Sequence, residues 1–476
     1  MKINLLNKFK SPIIIGLEIH VQLNTNTKLF CGCSTKEHTL PNNACCEICL
    51  GHPGSKPVLN IKAVEFGLRL AHALDCSIAD ELIFSRKSYF YPDLAKNYQI
   101  SQFELPLGKK GHFKLSTGKK INITRIHLEE DPASLVHTDG IEESSFSLID
   151  YNRSGIPLIE IVTEPELNSP EEARDFMKRL ITILKYLKIY DPNTCVIKAD
   201  ANISIRESGY VRSEIKNITG FKEIERALFY ELERHKQAVN SKEKLKQDTR
   251  TWNAEKGYTT LLRLKETEAD YGYIFDPDLV STELNKAWVK KVKDTLPELP
   301  EQKIKKFISE HKIPKTDAEV IAAEHILATL FEKVAKEVDP QLAAKWLRRE
   351  LMRVVHYNNI DLDNLKIDEL HLIELLSMVE KKEITENVAQ KIMEKLVIKP
   401  FSPREYVDTN KLSAISDQRE LEALCQDTIN ENPKVIEEFK KGKIEALNFL
   451  VGQIMRKTKG KADAKLLKEM LVEKIK

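Results

Sequence analysis

Strict alternation over residues 13–23 constrains this chain more than any other stretch. Leu17, Ile19, Val21 and Leu23 fall on one face of a strand, and Glu18, His20 and Gln22 fall on the other. The strand runs directly toward Cys31-Gly-Cys33 and, after a turn-rich loop, Cys46-Glu-Ile-Cys49. An acid and an imidazole thus share a rigid support with a compact set of thiols.

The two cysteine pairs supply four thiolates from two tight knuckles, the arrangement that tetrahedral zinc requires. Gly32, Gly51 and Gly54 suit the turns. Cys45 is an alternative to Cys46, but only Cys46 leaves two residues before Cys49. The competing expectation is four buried cysteines without metal. Four thiolates leave no open coordination position, so zinc on Cys31, Cys33, Cys46 and Cys49 is expected to be structural. Cys76, Cys195 and Cys425 stand alone and read as ordinary thiols. Eight cysteines in 476 residues, five of them within residues 31–49, are too few and too clustered for a disulfide scaffold, which points to a reducing, cytoplasmic setting. The N-terminus shows no secretory pattern, and no apolar run is long enough to span a bilayer.

The parity argument extends to other strands. Lys198, Asp200, Asn202, Ser204 and Arg206 share a face opposite Ile197, Ala199, Ala201, Ile203 and Ile205. After a turn at Glu207-Ser-Gly209, Arg212, Glu214 and Lys216 line up on the returning strand. Arg125, His127 and Glu129 oppose Ile126 and Leu128, and Glu130 points the other way unless the strand has ended. Any half-solvated antiparallel sheet shows such alternation. The recurrence of Glu18, Glu129, Asp200 and Glu214 with His20, Lys198, Arg206 and Lys216 is more specific. Converging carboxylates repel by about 4 kcal/mol per pair at roughly 4 Å and an effective dielectric near 20. A hard cation reverses that sign, and Mg²⁺ beside basic side chains is equipment for phosphate chemistry. Neither a Gly-x4-Gly-Lys-Ser/Thr loop nor a Gly-x-Gly-x-x-Gly fingerprint is present, so ATP would bind without either cradle.

Helix signals place backing elements behind this sheet. Asn60–Leu74 spaces Ile61, Val64, Leu68, Ala71 and Leu74 on one face. Ser169-Pro-Glu-Glu172 is a capping box whose helix directs Phe176, Met177, Leu180, Leu184 and Leu187 inward. Breakers at Leu296–Pro300 and Lys399–Pro403 divide the chain into 1–295, 296–400 and 401–476. The expected class is α+β: an antiparallel-sheet cradle with a zinc knot and backing helices, then an all-helical domain and a small helical tail. The net charge is only +2, so nucleic-acid affinity needs a local patch. One follows Leu447, Leu450, Val451 and Ile454, at Arg456, Lys457, Lys459 and Lys461. Alone, such a run is usually a solvated surface.

Several longer phrases resemble the B-subunit family of aspartyl/glutamyl-tRNA amidotransferases. They include Glu18-Ile-His-Val-Gln-Leu23, the two cysteine pairs, Arg86–Leu94, His127–Asp131, Asp150–Val162, Asp200–Ser204, Glu214–Asn217, Asp276–Leu279 and Val451–Lys461. The resemblance implies a kinase-like cradle that uses ATP and Mg²⁺ to phosphorylate the side chain of Asp or Glu misacylated on tRNA(Asn) or tRNA(Gln). It implies Mg²⁺ on Glu18, His20, Glu129 and Glu214, with Glu130 an alternative to Glu129 and Asp200 nearby. Tyr89 and Asp93, in the Arg86–Leu94 phrase, join Lys198, Arg206 and Lys216 as substrate- or phosphate-binding candidates. The tail cations become tRNA contacts. No amidase loop or glutaminase pattern is present in the chain. The resemblance assigns ammonia supply to a separate amidase A subunit, linked through a small C subunit.

Overall fold

The computed structural model describes residues 13–36, 40–136, 146–264, 272–362, 365–415, 418–440, 443–458 and 460–475. The chain divides into two compact units between Leu299 and Pro300, inside the first proline-rich breaker.

The first unit is built on a nine-stranded sheet with Ile13–Gln22 fifth in order. On one side of it lie Ile197–Ile205, Ser213–Thr219, Asp248–Asn253 and Tyr258–Leu264. On the other lie Pro157–Thr163, Lys120–Glu130, Gly108–Lys114 and Ser77–Ile78. The expectation of a purely antiparallel sheet is corrected at one pair. Ser213–Thr219 and Asp248–Asn253 run parallel, joined by the helix Phe221–Asn240 as a parallel crossover requires.

The inward face of the central strand is dry, with Ile15, Leu17, Ile19 and Val21 buried against one continuous apolar core. Burying each such side chain stabilises the sheet by about 1.5–3 kcal/mol. The helices Ile61–Ala73 and Pro170–Tyr186 contribute Val64, Leu68, Ala71, Phe176, Met177, Leu180 and Leu184 to that core. Asn60 caps the first helix through its side chain, accepting from the amides of Lys62 and Ala63. Ser169 Oγ accepts from the Glu172 amide, but the Glu172 carboxylate accepts from Asn168 rather than closing the box on Ser169. Apolar burial on one side leaves the opposite face of the central strands to carry chemistry.

The described regular elements of the second unit are helices, from Pro300–Ser309 to Ala464–Ile475. Caps by Asp368, Thr385 and Ser402 mark three of their starts. Toward the C-terminus Leu421, Cys425, Leu447, Leu450, Ile454, Leu467 and Leu471 form a core of their own. No helix among the described residues is long and apolar enough to cross a membrane.

Candidate active site and metal centres

Two groups of side chains are packed closely enough to hold a metal ion. In the first, the sulfurs of Cys31, Cys33, Cys46 and Cys49 all lie within 4.8 Å of one another. A single helical turn, Glu47–Leu50, ends on Gly51 at φ +69°, and a Cβ there would lie 2.2 Å from Lys96 Cγ. Glycine takes this left-handed turn without strain and without displacing Lys96. The Cys46 amide donates to Cys49 Sγ at 3.1 Å, and the buried Lys28 ammonium approaches the same sulfur at 3.6 Å. A hydrogen bond from the Cys31 thiol, aided by that amide and by Lys28, outweighs burial and brings Cys49 to about 4. Cys45 turns aside, with its sulfur 3.8 Å from Asn152 Oδ1. Four soft donors with a cation offsetting their charge fit zinc.

The second group comprises His20, Glu129 and Glu160. Strand register creates it, since Glu160 lies directly opposite His20 on one neighbour and opposite His127 on the other. His20 Nε2 is 3.3 Å from Glu160 and 3.6 Å from Glu129; His127 Nε2 is 3.5 and 3.6 Å from the same two carboxylates. Burial alone would hold both imidazoles below their ordinary value. Hydrogen bonding to Glu160 and the charges of Glu160 and Glu129 outweigh it, so His20 rises to about 10. The same two acids raise His127 to about 9. Glu160 is held well below the usual carboxylate range despite its burial, chiefly by His127 and then His20. Two buried acids here require positive charge, supplied by protonated imidazoles or by a cation that His20, Glu129 and Glu160 would hold.

Adjacent to this group is a second acidic set. Glu18 pairs in register with Asp200 and accepts from Asn202 Nδ2 at 3.2 Å. The pairing of Ile197–Ile205 with Ser213–Thr219 shifts between Ala199 and Ala201, so Lys216 and Asn217 together face Asp200. Asn217, at φ +60°, takes the left-handed conformation at this irregularity. Asp200 accepts from the Asn217 amide at 2.9 Å and from Lys216 Nζ at 3.0 Å, and Lys216 lies 3.3 Å from Glu214. Thr249 Oγ1 donates to Glu214 at 3.0 Å. Burial, followed by the charges of Glu160, Asp200 and Glu214, raises Glu18 against the opposing pull of Lys216.

A cavity of about 270 Å³ is walled in part by His20, Glu129, Asp200, Lys198, Lys216 and Tyr89, whereas Glu160 and Glu214 lie outside its lining and Glu18 lines a separate cavity. Asp93 is likewise absent from the lining of the first; one of its carboxylate oxygens is buried without a hydrogen-bond partner. Arg206 sits in the exposed turn that follows its strand, outside the cavity. Glu130 is also removed from the set, because strand parity turns it to the far side. There it pairs with Lys96 and accepts from the Ile100 amide at 2.9 Å.

The residues expected around magnesium fall into two neighbouring groups. His20 and Glu129 meet Glu160, while Glu18 and Glu214 occupy the neighbouring acidic set. Glu160 and the role of His127 are what the sequence reasoning missed. The same parity test applied to Pro157–Thr163 sets Leu158, Glu160 and Val162 opposite Ile159 and Ile161, and would have placed Glu160 on the polar face.

In the second unit, Arg456 and Lys457 end the helix Ile444–Lys457, and Lys457 is tied to Glu431 at 2.6 Å. Lys461 lies beyond the helix, and Lys459 lies outside the described residues.

Both units find relatives. The family described as GatB/GatE catalytic domain matches residues 13–290, and that described as GatB domain matches residues 329–475. The chain is 41% identical over 473 residues to the B subunit of the aspartyl/glutamyl-tRNA(Asn/Gln) amidotransferase of Thermodesulfovibrio yellowstonii, covering 97% of this chain and 99% of that one. Its counterpart in Caldanaerobacter subterraneus subsp. tengcongensis is 41% identical over 478 residues, with 98% and 99% covered. A Clostridium botulinum counterpart is 40% identical over 471 residues, with 97% and 98% covered. This chain belongs to the B-subunit family of these amidotransferases. It is accordingly one component of a carbon–nitrogen ligase. Within the B-subunit framework, the catalytic-domain match spans both metal-capable groups, and the second match spans the helical tail.

Proposed function

We propose that this chain uses ATP and Mg²⁺ to activate the side-chain carboxylate of Asp or Glu esterified to tRNA(Asn) or tRNA(Gln). A carboxylate oxygen attacks the γ-phosphorus, ADP leaves, and ammonia then displaces phosphate from the acyl carbon to form the amide. Magnesium, held by His20, Glu129 and Glu160, would neutralise charge between the two anions as they approach. Lys198 meets the phosphoryl oxygens, while Lys216, tied to Asp200 and Glu214, holds the neighbouring acids in place. The concave site limits access of water to an acyl phosphate that would otherwise hydrolyse.

The observation that carries this reading is a cavity in which a carboxylate–imidazole group stands beside lysines on the same sheet face. Ammonia comes from a partner amidase A subunit, linked through a small C subunit. The four-cysteine group holds a structural zinc. Residues from about 401 onward form a tail domain in which Arg456, Lys457, Lys459 and Lys461 contact tRNA phosphates. The reaction takes place in the cytoplasm.

Reconstitution tests the whole reading. The chain with its A and C partners should convert each accepted misacylated tRNA to the amide with ATP and glutamine, releasing ADP. The isolated chain should make no amide from glutamine. Glutamine-dependent product from this polypeptide alone, or product without nucleotide hydrolysis, would contradict it.

A further inference from the structure

The charged groups that line the cavity are not equally engaged. Lys216 is committed to Asp200 and Glu214, and Glu129 to the histidines. Lys198 and Arg153 line the same cavity. The Lys198 ammonium makes no hydrogen bond or ion pair among the described residues. Burial and the nearby Arg153 charge depress its pKa, against the pull of Asp131 and Asp200.

Arg153 is only partly used. Its Nε donates to the Pro132 carbonyl at 2.9 Å and one Nη approaches Asp131 at 3.2 Å. A guanidinium has five N–H donors in a rigid fork, so capacity for an oxyanion remains. Asp131 is shared, since Gln22 Nε2 donates to it at 2.6 Å.

The loop that carries Arg153 is fastened to the cysteine knot. Asn152 accepts from the Ala44 amide at 2.8 Å and donates to the Leu40 carbonyl at 2.8 Å. Lys28 reaches from Cys49 to the Tyr151 carbonyl at 3.3 Å, and Ser154 Oγ donates to the Cys49 carbonyl at 3.3 Å. Gly155, at φ +86°, closes the turn against Lys28 and Cys49. The guanidinium is thereby pre-positioned, which lowers the entropic cost of gripping a ligand.

We propose that Arg153 and Lys198 form an oxyanion-binding pair in this cavity and take a phosphoryl group of the substrate. A bridging dianion relieves the repulsion between the two cations and fills the free donors of the fork. The proposal rests on the phosphoryl-transfer reading above.

Pyrophosphate titrated into the zinc-loaded full chain by calorimetry is the direct test. Arg153→Met should weaken pyrophosphate roughly ten-fold or more at unchanged zinc content. Arg153→Lys, which keeps the charge and loses the fork, should weaken it by a smaller factor, and Lys198→Met should also weaken it. Wild-type affinity in Arg153→Lys, or in a folded Arg153→Met, would reduce Arg153 to a clamp on Asp131 and overturn the proposal. The two readings separate in the assembled enzyme. If Arg153→Met releases ADP at the wild-type KM for ATP, the anion pair is refuted and phosphoryl transfer stands. If wild type releases no ADP while pyrophosphate binding still depends on Arg153, phosphoryl transfer is refuted and the pair stands.

Discussion

The cysteine knot and the carboxylate–imidazole cluster are both metal-capable, yet they are assembled in opposite ways. The knot takes its four ligands from residues 31 to 49, a local loop closed by one helical turn. The cluster takes one ligand from each of three strands, spanning residues 20 to 160. A local set depends on turn geometry and survives as long as its loop closes. A register-built set depends on three pairings being right at once, because a one-residue slip turns a side chain to the other face. Substitutions in the knot should therefore act on stability, and substitutions in the cluster on chemistry.

The largest expected effect is at the knot. Cys49→Ser, or removal of metal by a chelator, should abolish zinc content and destabilise the first unit by about 5 kcal/mol or more, since structural zinc contributes its binding energy to folding. Metal analysis with thermal unfolding checks this. A Cys49→Ser protein that melts like wild type would mean that the knot is not a stability device.

The cluster should behave in the reverse manner. Glu160→Gln is expected to lower tRNA-dependent ADP release about a hundred-fold or more while zinc content holds. Full activity in that variant would remove Glu160 from the site and break the comparison.

Its sequence neighbourhood offers a sharper contrast in Glu129 and Glu130, adjacent residues on opposite faces. Glu130→Gln leaves the Lys96 ammonium buried without its carboxylate partner, and should cost about 3 kcal/mol of stability in denaturant titration. The chemical step should be spared. Loss of turnover without loss of stability would place Glu130, not Glu129, in the chemistry.

His235 asks whether partner charges must be present for burial to be overcome. In the cluster they overcome it; at His235 they do not. Burial, then the Arg234 charge, lower this histidine to about 4, and its ring lies 2.9 Å from Ser213 Oγ. The unfolded chain binds the proton first as pH falls below about 6.5, so this contribution is full above that value. It is lost progressively down to about pH 4, amounting to about 3 kcal/mol. His235→Gln should flatten that part of the stability–pH curve.

Much of this arrangement was legible in the chain, for reasons that differ by residue. Period-two alternation placed Glu18, His20, Glu129 and Asp200 on the wet face, because parity within one strand needs no knowledge of its neighbours. Knuckle spacing separated Cys46 from Cys45, and the quartet contains Cys46. Parity also showed that Glu130 faces away, but the resemblance offered it as an alternative to Glu129. Arg206 has the right parity yet lies past the strand's end, where alternation no longer applies.

The covalent order of side chains thus determined which faces are apolar, which loops can close around a metal, and which family the motifs resemble. Tertiary pairing alone decided that Glu160 stands between His20 and His127, that an irregular register turns both Lys216 and the Asn217 amide toward Asp200, and that Arg153 reaches the cavity from a loop pinned to the knot. The reason is physical. Alternation and turn chemistry act within a few bonds along the backbone, whereas the partner of a strand residue is set by hydrogen-bond register with a segment far away in the chain.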